Sequence, residues 1–185
     1  MEFLAQLWLP ILLSAVFVFI VSSIIHMVLQ THNSDVKKMN NEEAVLESMR
    51  TNGVAPGSYL FPRADSMKEM GTPEMVAKLK KGPVGWLTVL PSGGFNMGKS
   101  LAWWFVHSLI IGLLSGYIGW HGLGAGAHYL DVFRVVGAAA VLGYSIGHLH
   151  DSIWKGQSWG TTAKFVADGL AYSLVTAGTF GWLWA

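Results

Sequence analysis

The chain has 185 residues, 52% of them hydrophobic, and its 12 Lys+Arg and 11 Asp+Glu make only 12% of positions charged, where a soluble domain carries about 25%. That deficit argues against a soluble globular protein, and a net charge of +1 supplies neither the basic surface that nucleic acid requires nor an acidic tail. The absence of cysteine excludes disulfides, thiolate metal sites and cysteine nucleophiles.

The charges are unevenly placed. Residues 31–100 hold nine Lys/Arg and seven Asp/Glu, which leaves Glu2, Asp131, Arg134, Asp151, Lys155, Lys164 and Asp168 for the other 115 positions. Four apolar stretches lie outside that segment: Trp8 to Leu29, Leu101 to Trp120, Val132 to Leu149 and Phe165 to Trp184. Each suits a hydrocarbon core of about 30 Å, which takes roughly 20 helical residues. The expected fold is therefore an all-α membrane protein with four transmembrane helices. It divides into a first span within residues 1–30, a cytoplasmic segment 31–100 of short amphipathic helices, and a three-helix transmembrane region 101–185. The first stretch resembles a signal peptide in position only: Glu2 precedes it, its apolar run is long, and no small-residue cleavage site follows, so a retained anchor is expected.

In chain order, the segment after the first span reads as polar helical pieces between Gly/Pro breaks. Val45, Leu46 and Met49 share one face of a helix that Gly53 ends. Thr72 as N-cap, Pro73 at the first position, Glu74 in the first turn, Lys78, Lys80 and Lys81 in the last and Gly82 as stop define a second helix. Pro56 to Arg63 reads as extended chain, and Val84 to Leu90 as a short strand or a segment on the membrane surface. Lys/Arg-rich loops stay cytoplasmic. Residues 31–100 and the loop bearing Lys155 and Lys164 therefore face the cytoplasm, and both termini the periplasm. Trp8, Trp120, Trp182 and Trp184 fit an outer aromatic belt, and Trp86, Trp103, Trp104, Trp154 and Trp159 an inner one.

Gly93-Gly-Phe-Asn-Met-Gly98-Lys99-Ser100 matches the phosphate-loop pattern G-x-x-x-x-G-K-[ST]. No cytoplasmic apolar strand ends in an acidic magnesium ligand, and the helix that follows is a membrane span. The expectation is a glycine-rich turn with Ser100 as N-cap, leaving at most an anion or lipid-phosphate site at Lys99 and Ser100.

Small residues recur every four positions on three helices: Ser108, Gly112 and Gly116; Ala139, Gly143 and Gly147; and Gly169, Ser173, Ala177 and Gly181. Lipid gives helices no hydrophobic drive to associate, so close approach through such stripes supplies contact energy. Packing inside the bundle is expected, with a partner surface as the alternative.

An ionisable residue inside a span is costly and marks a functional hypothesis. At 1.5 Å per residue, His26 lies ~5 Å and His107 ~9 Å from the cytoplasmic helix ends. Facing each other, they would suit the axial positions of a b-type haem or, with carboxylates, a divalent metal or proton site. Otherwise they hydrogen-bond neighbouring helices. His148 and His150 sit at the rim on different faces, and Lys164 with Asp168 and Asp131 with Arg134 read as ion pairs along one helix.

Leu9-Pro-Ile-Leu-Leu-Ser-Ala, Ser22-Ser23-Ile-Ile-His26-Met27, Pro62-Arg63-Ala-Asp-Ser66-Met67, Ser152-Ile-Trp154-Lys-Gly-Gln-Ser158-Trp159 and Asp168-Gly-Leu-Ala-Tyr172 followed by Thr176-Ala-Gly-Thr-Phe-Gly-Trp182-Leu-Trp184 resemble a family of uncharacterised bacterial four-helix integral membrane proteins. The likeness runs through nearly the whole chain. It implies a bacterial cytoplasmic membrane location and gives no activity to carry over. With no catalytic constellation in view, the expected function is that of a non-enzymatic accessory or structural subunit of a membrane complex, or a self-associating bundle. Its partners would be the lipid bilayer and other membrane subunits or itself, with no cofactor or metal and no nucleic acid. The alternatives are a protein binding haem b or a metal at His26 and His107, for redox chemistry or sensing, and a small transporter or channel.

Overall fold

The computed structural model describes residues 2–185 and is predominantly helical. The chain forms two compact units: one runs through Val36 and resumes at Asn96–Ala185, the other is Lys37–Phe95. The first helix and the last three long ones thus belong to one unit, and its borders fall at 36/37 and 95/96 instead of the expected 30/31 and 100/101.

The smaller unit contains α2 (Glu42–Thr51), β1 (Gly57–Phe61), α3 (Met67–Met70), α4 (Pro73–Lys81) and β2 (Gly85–Val89). Thr72 caps α4 through Met75 N–H, and Gly82 at φ +61° ends it, a backbone conformation that glycine adopts without a Cβ penalty. β1 and β2 pair antiparallel, from Gly57 opposite Val89 to Phe61 opposite Gly85. The segment expected to hold short helices and two extended stretches thus joins those stretches in a two-stranded sheet. The pairing satisfies backbone groups that neither would satisfy alone.

The larger unit is a helical bundle. Its first helix, α1 (Glu2–Ser23), is apolar on every face and continues as a π-helical turn, Ile24–Leu29. Ser22 and Ser23 both donate to the carbonyl of Phe19, at 2.9 and 2.8 Å, and this competition loosens the ladder where the wider turn begins. Gln30, at φ 51°, then reverses the chain. α5 (Met97–Leu123) starts at Asn96, whose side chain accepts from Lys99 N–H at 3.0 Å. Asn96, not Ser100, is thus the cap, because its short amide reaches the third helical N–H. α6 (Tyr129–Tyr144) is followed by a 3₁₀ turn, Ile146–His148, and α7 (Leu149–Lys155). α8 (Trp159–Trp182) is capped by Ser158, which accepts from Thr161 N–H.

Three helical stretches are long and apolar enough to cross a membrane: Glu2–Leu29, Met97–Leu123 and Tyr129–Lys155. α8 has the length, but Lys164, Asp168 and its threonines and glycines lower its mean hydropathy, and it is not among the three.

Small residues set the helix separations. A Cβ on Gly112 would lie 3.4 Å from the carbonyl oxygen of Ile11, and one on Gly137 would lie 3.1 Å from Cβ of Ala177. Ser108, Gly112 and Gly116 of α5 and Gly169, Ser173 and Ala177 of α8 are buried, and Gly181 backs onto the Tyr129 ring. The third stripe packs closely only at Gly143, where a Cβ would meet the Ile111 side chain of α5 at 3.1 Å. α6 buries Val132, Val136, Ala140 and Tyr144, while Ala139 is half-buried and Gly143 and Gly147 are exposed. The reason is complementarity: α8 already presents small residues, so α6 fills the space with larger ones. Leu7, Ile11, Val132, Val136 and Phe180 form one core cluster, and Val18, Ile111, Ala140, Tyr144 and Tyr172 the other.

Gly169 is the tightest of these contacts, since a Cβ there would fall 2.5 Å from the Tyr144 carbonyl oxygen. Gly169→Ala should therefore destabilise the bundle in detergent by about 1–3 kcal/mol. Gly178→Ala, whose new Cβ would meet only the Tyr129 hydroxyl at 3.9 Å, should be close to neutral. Equal melting temperatures for the two variants would refute this packing argument.

Candidate functional site at the lysine-rich end of the bundle

The reversal after α1 returns the chain towards the first turns of α8. His32 lands between two carboxylates: Nδ1 donates to Asp35 at 2.6 Å, and Nε2 to Asp168 at 2.7 Å. The side chains of His32, Asp35 and Asp168 are only 14%, 9% and 13% exposed. Lys164 closes the group, donating to Asp35 at 2.6 Å, Ser34 Oγ at 3.0 Å and the Thr31 carbonyl at 2.9 Å. Lys164 and Asp168 thus pair with the segment after α1 and not with each other. The longer reach satisfies several donors and acceptors together, whereas a helix-surface pair in water contributes little. Asp131 and Arg134 do pair along α6, at 3.4 Å.

His26, on the π-turn, stacks on His32 with ring centroids 4.8 Å apart. Its Nε2 lies 3.3 Å from the Tyr172 hydroxyl and 3.7 Å from Asp168. The far face of His32 stacks on Phe165, whose other face meets His148. His26, His32 and Asp168 place three ligand-type atoms within 4.8 Å of one another.

Beside this cluster opens a cavity of about 800 Å³. It draws on α1, α5, α6 and α8, and its polar groups include His26, His107, Tyr144, His148, Asp151 and Asp168. Trp104, in its wall, donates to Ser22 Oγ at 2.9 Å. Trp104 therefore turns into the bundle and not towards a headgroup belt, and Trp184 does likewise, donating to the Gly124 carbonyl.

His26 and His107 line the same cavity, as the haem alternative requires. His26 also meets the other expectation, a hydrogen bond to a neighbouring helix, through Tyr172 of α8. His107 has ring contacts with Trp104 and, edge-on, with Tyr144, while His26 directs Nε2 at Asp168 and Tyr172. The expected outcome is no stoichiometric Soret band in the purified protein, and a band lost in His26→Ala or His107→Ala would overturn it. Ser100 lines the cavity, whereas Lys99 does not. The phosphate-loop match resolves into Gly93 and Gly94 at positive φ followed by the capped start of α5. The sheet found among the described residues is two-stranded and antiparallel, so the parallel framework of a P-loop enzyme is absent from them.

Reasoning from sequence missed His32, Asp35 and Tyr172. His26 and His32 are six apart, a separation that no single α-helical face brings together, and the helix that would have separated them ends in a π-turn. The one available signal was His32 three residues before Asp35 in an otherwise polar turn. No family model, curated protein or solved structure matches the chain.

The hydrogen-bonded Lys164 ammonium holds the Asp35 carboxyl below the usual carboxylate range. A depressed folded-state value means that the pair's stabilisation is complete above the ordinary carboxylate value, about pH 4, and is lost as the pH falls through the folded value. Asp35→Asn should thus melt below wild type at pH 7, with the gap closing under acid conditions below about pH 4. A gap of constant size down to pH 3 would count against this pairing.

Proposed function

We propose that this is a four-span integral membrane protein of the bacterial cytoplasmic membrane, with a non-enzymatic role as a binding or accessory subunit. Its lysine-rich helix ends face the cytoplasm, and its cavity takes an amphipathic small molecule from the bilayer. The observation that carries the reading is the cavity itself. About 800 Å³ is within the range of small-molecule sites, and a mostly apolar, aromatic wall with a few polar groups is their usual chemistry. A polar-headed ligand would find donors and acceptors in His107, Tyr144, His148 and Asp151, and apolar wall in Leu101, Trp104 and Phe165.

The fourth span is α8. Its backbone lies against α6 at Gly169 and Ala177, inside the same bundle as the three apolar helices, and both of its charges are met by partners at its first turns. Beyond Asp168 it is uncharged, as a helix entering lipid requires. Single thiols test the topology. Cysteine at Ser58 or Gly160 should be shielded from an impermeant reagent in intact cells, and cysteine at Ala125 or Ala185 should react. Labelling of Gly160→Cys and Ala185→Cys from the same side would remove the fourth span.

The ligand reading rests on a second experiment. Gly147 lines the cavity, and a Cβ there would meet nothing within 4 Å, so Gly147→Phe starts from open space and is expected to narrow the cavity. Mass spectrometry of solvent extracts should find an amphipathic molecule with the wild type and not with Gly147→Phe, at similar melting temperatures. The same extract profile from both proteins would refute the proposal.

A further inference from the structure

We infer that His26, His32 and Asp168 form a binding site for a divalent first-row metal ion of the zinc type, with two imidazole nitrogens and one carboxylate oxygen as ligands. The three side chains come from the π-turn, the chain reversal and α8, and their ligand atoms lie within 4.8 Å of one another. An ion with bonds of ~2.0–2.1 Å in tetrahedral geometry holds its donors ~3.3–3.4 Å apart. The separations between Asp168 and the two histidines, 2.7 and 3.7 Å, bracket that value, and seating an ion requires the His26 and His32 rings to turn out of their stack.

The arrangement around the triad is that of a ligand set. A metal-bound histidine commonly gives its other ring N–H to a carboxylate, which fixes the ring and its tautomer. His32 does this through Nδ1 to Asp35, and Lys164 holds Asp35 in turn. Nε2 of His32 is left pointing at Asp168 on the side where His26 Nε2 also lies. An ion takes the place of the proton that Nε2 now donates to Asp168, and that proton passes to bulk water. Three protein ligands leave a further position open, and His26 and Asp168 both line the cavity, which supplies an entry path. The other description of the same contacts is a purely structural imidazolium held between two carboxylates, and the two make opposite predictions about metal.

The test uses the full chain in detergent, stripped with a chelator and titrated with Zn²⁺ by calorimetry, with Co²⁺ visible absorption as a second readout. One ion per chain is expected, with histidine-nitrogen coordination in the Co²⁺ spectrum. His32→Ala and Asp168→Asn should abolish binding, and Asp35→Asn should weaken it 10–100-fold. His121→Ala, in the last turn of α5 and outside the cavity, should bind as wild type does. If His32→Ala fails to fold, His26→Ala decides the matter, because His26 sits at the cluster's exposed edge and carries the same expected loss. No stoichiometric binding by the wild type, or binding that survives His26→Ala and Asp168→Asn, would overturn the site. Gly147→Phe should retain Zn²⁺ binding while excluding the cavity's occupant, so failure of the metal site and failure of the ligand reading are distinguishable.

Discussion

Asp168 sits near the start of α8 in a bundle otherwise built of apolar helices, where a carboxylate is tolerated only while a donor or cation meets it. Its own helix offers Lys164 one turn earlier, yet the chain meets it with His32 from 136 residues away. That choice organises the end of the bundle. To deliver His32, α1 must stop at its π-turn and reverse at Gln30. Once reversed, the segment brings Asp35 to Lys164, and the two charges of α8 are neutralised by one short stretch of chain. His26 and Phe165 are positioned by stacking on the same ring. The polar cluster is organised around one largely covered carboxylate.

The bundle beneath it is held by shape. Ser145 donates across to the Val166 carbonyl and Ser22 accepts from Trp104, but Ser14, Ser108, Ser173 and Thr176 turn back on their own helices, donating to carbonyls three or four residues earlier. They therefore contribute little between helices, and the separations follow from where glycine and alanine permit backbone approach. α5 and α8 provide the small surfaces; α1 and α6 provide much of the bulk that fills them. Near the lysine-rich end the pattern lapses. Gly147 presents no side chain, the helix passes through a 3₁₀ turn, and the space beside Gly147 opens into the cavity.

Position and chemistry meet at that point. A cavity walled by Trp104 and Tyr172, with histidines and aspartates at one side, joins an apolar volume to groups that can hold a proton, a polar head or a metal ion. The occupant and the ion are separate proposals with overlapping residues. They share only His26 and Asp168 at the border.

The sequence by itself determined that this is a predominantly helical protein with helices long and apolar enough to cross a membrane. Three of its apolar stretches became helices able to span lipid, and the α4 caps, the two extended segments and the buried stripes of α5 and α8 were legible, because caps and hydrophobic periods are local properties. It did not determine the third stripe, since whether Ala139 or Ala140 faces inward depends on what the neighbouring helix presents. Nor did it determine the site. His26 was visible as a costly residue in a span, but its true neighbours were hidden: His32 and Asp35 looked like loop residues, and Lys164 looked like the partner of Asp168. Only the tertiary structure decided otherwise, because a charge far from solvent is satisfied by whichever group the fold brings within hydrogen-bonding distance, and sequence spacing measures that distance only along a single helix.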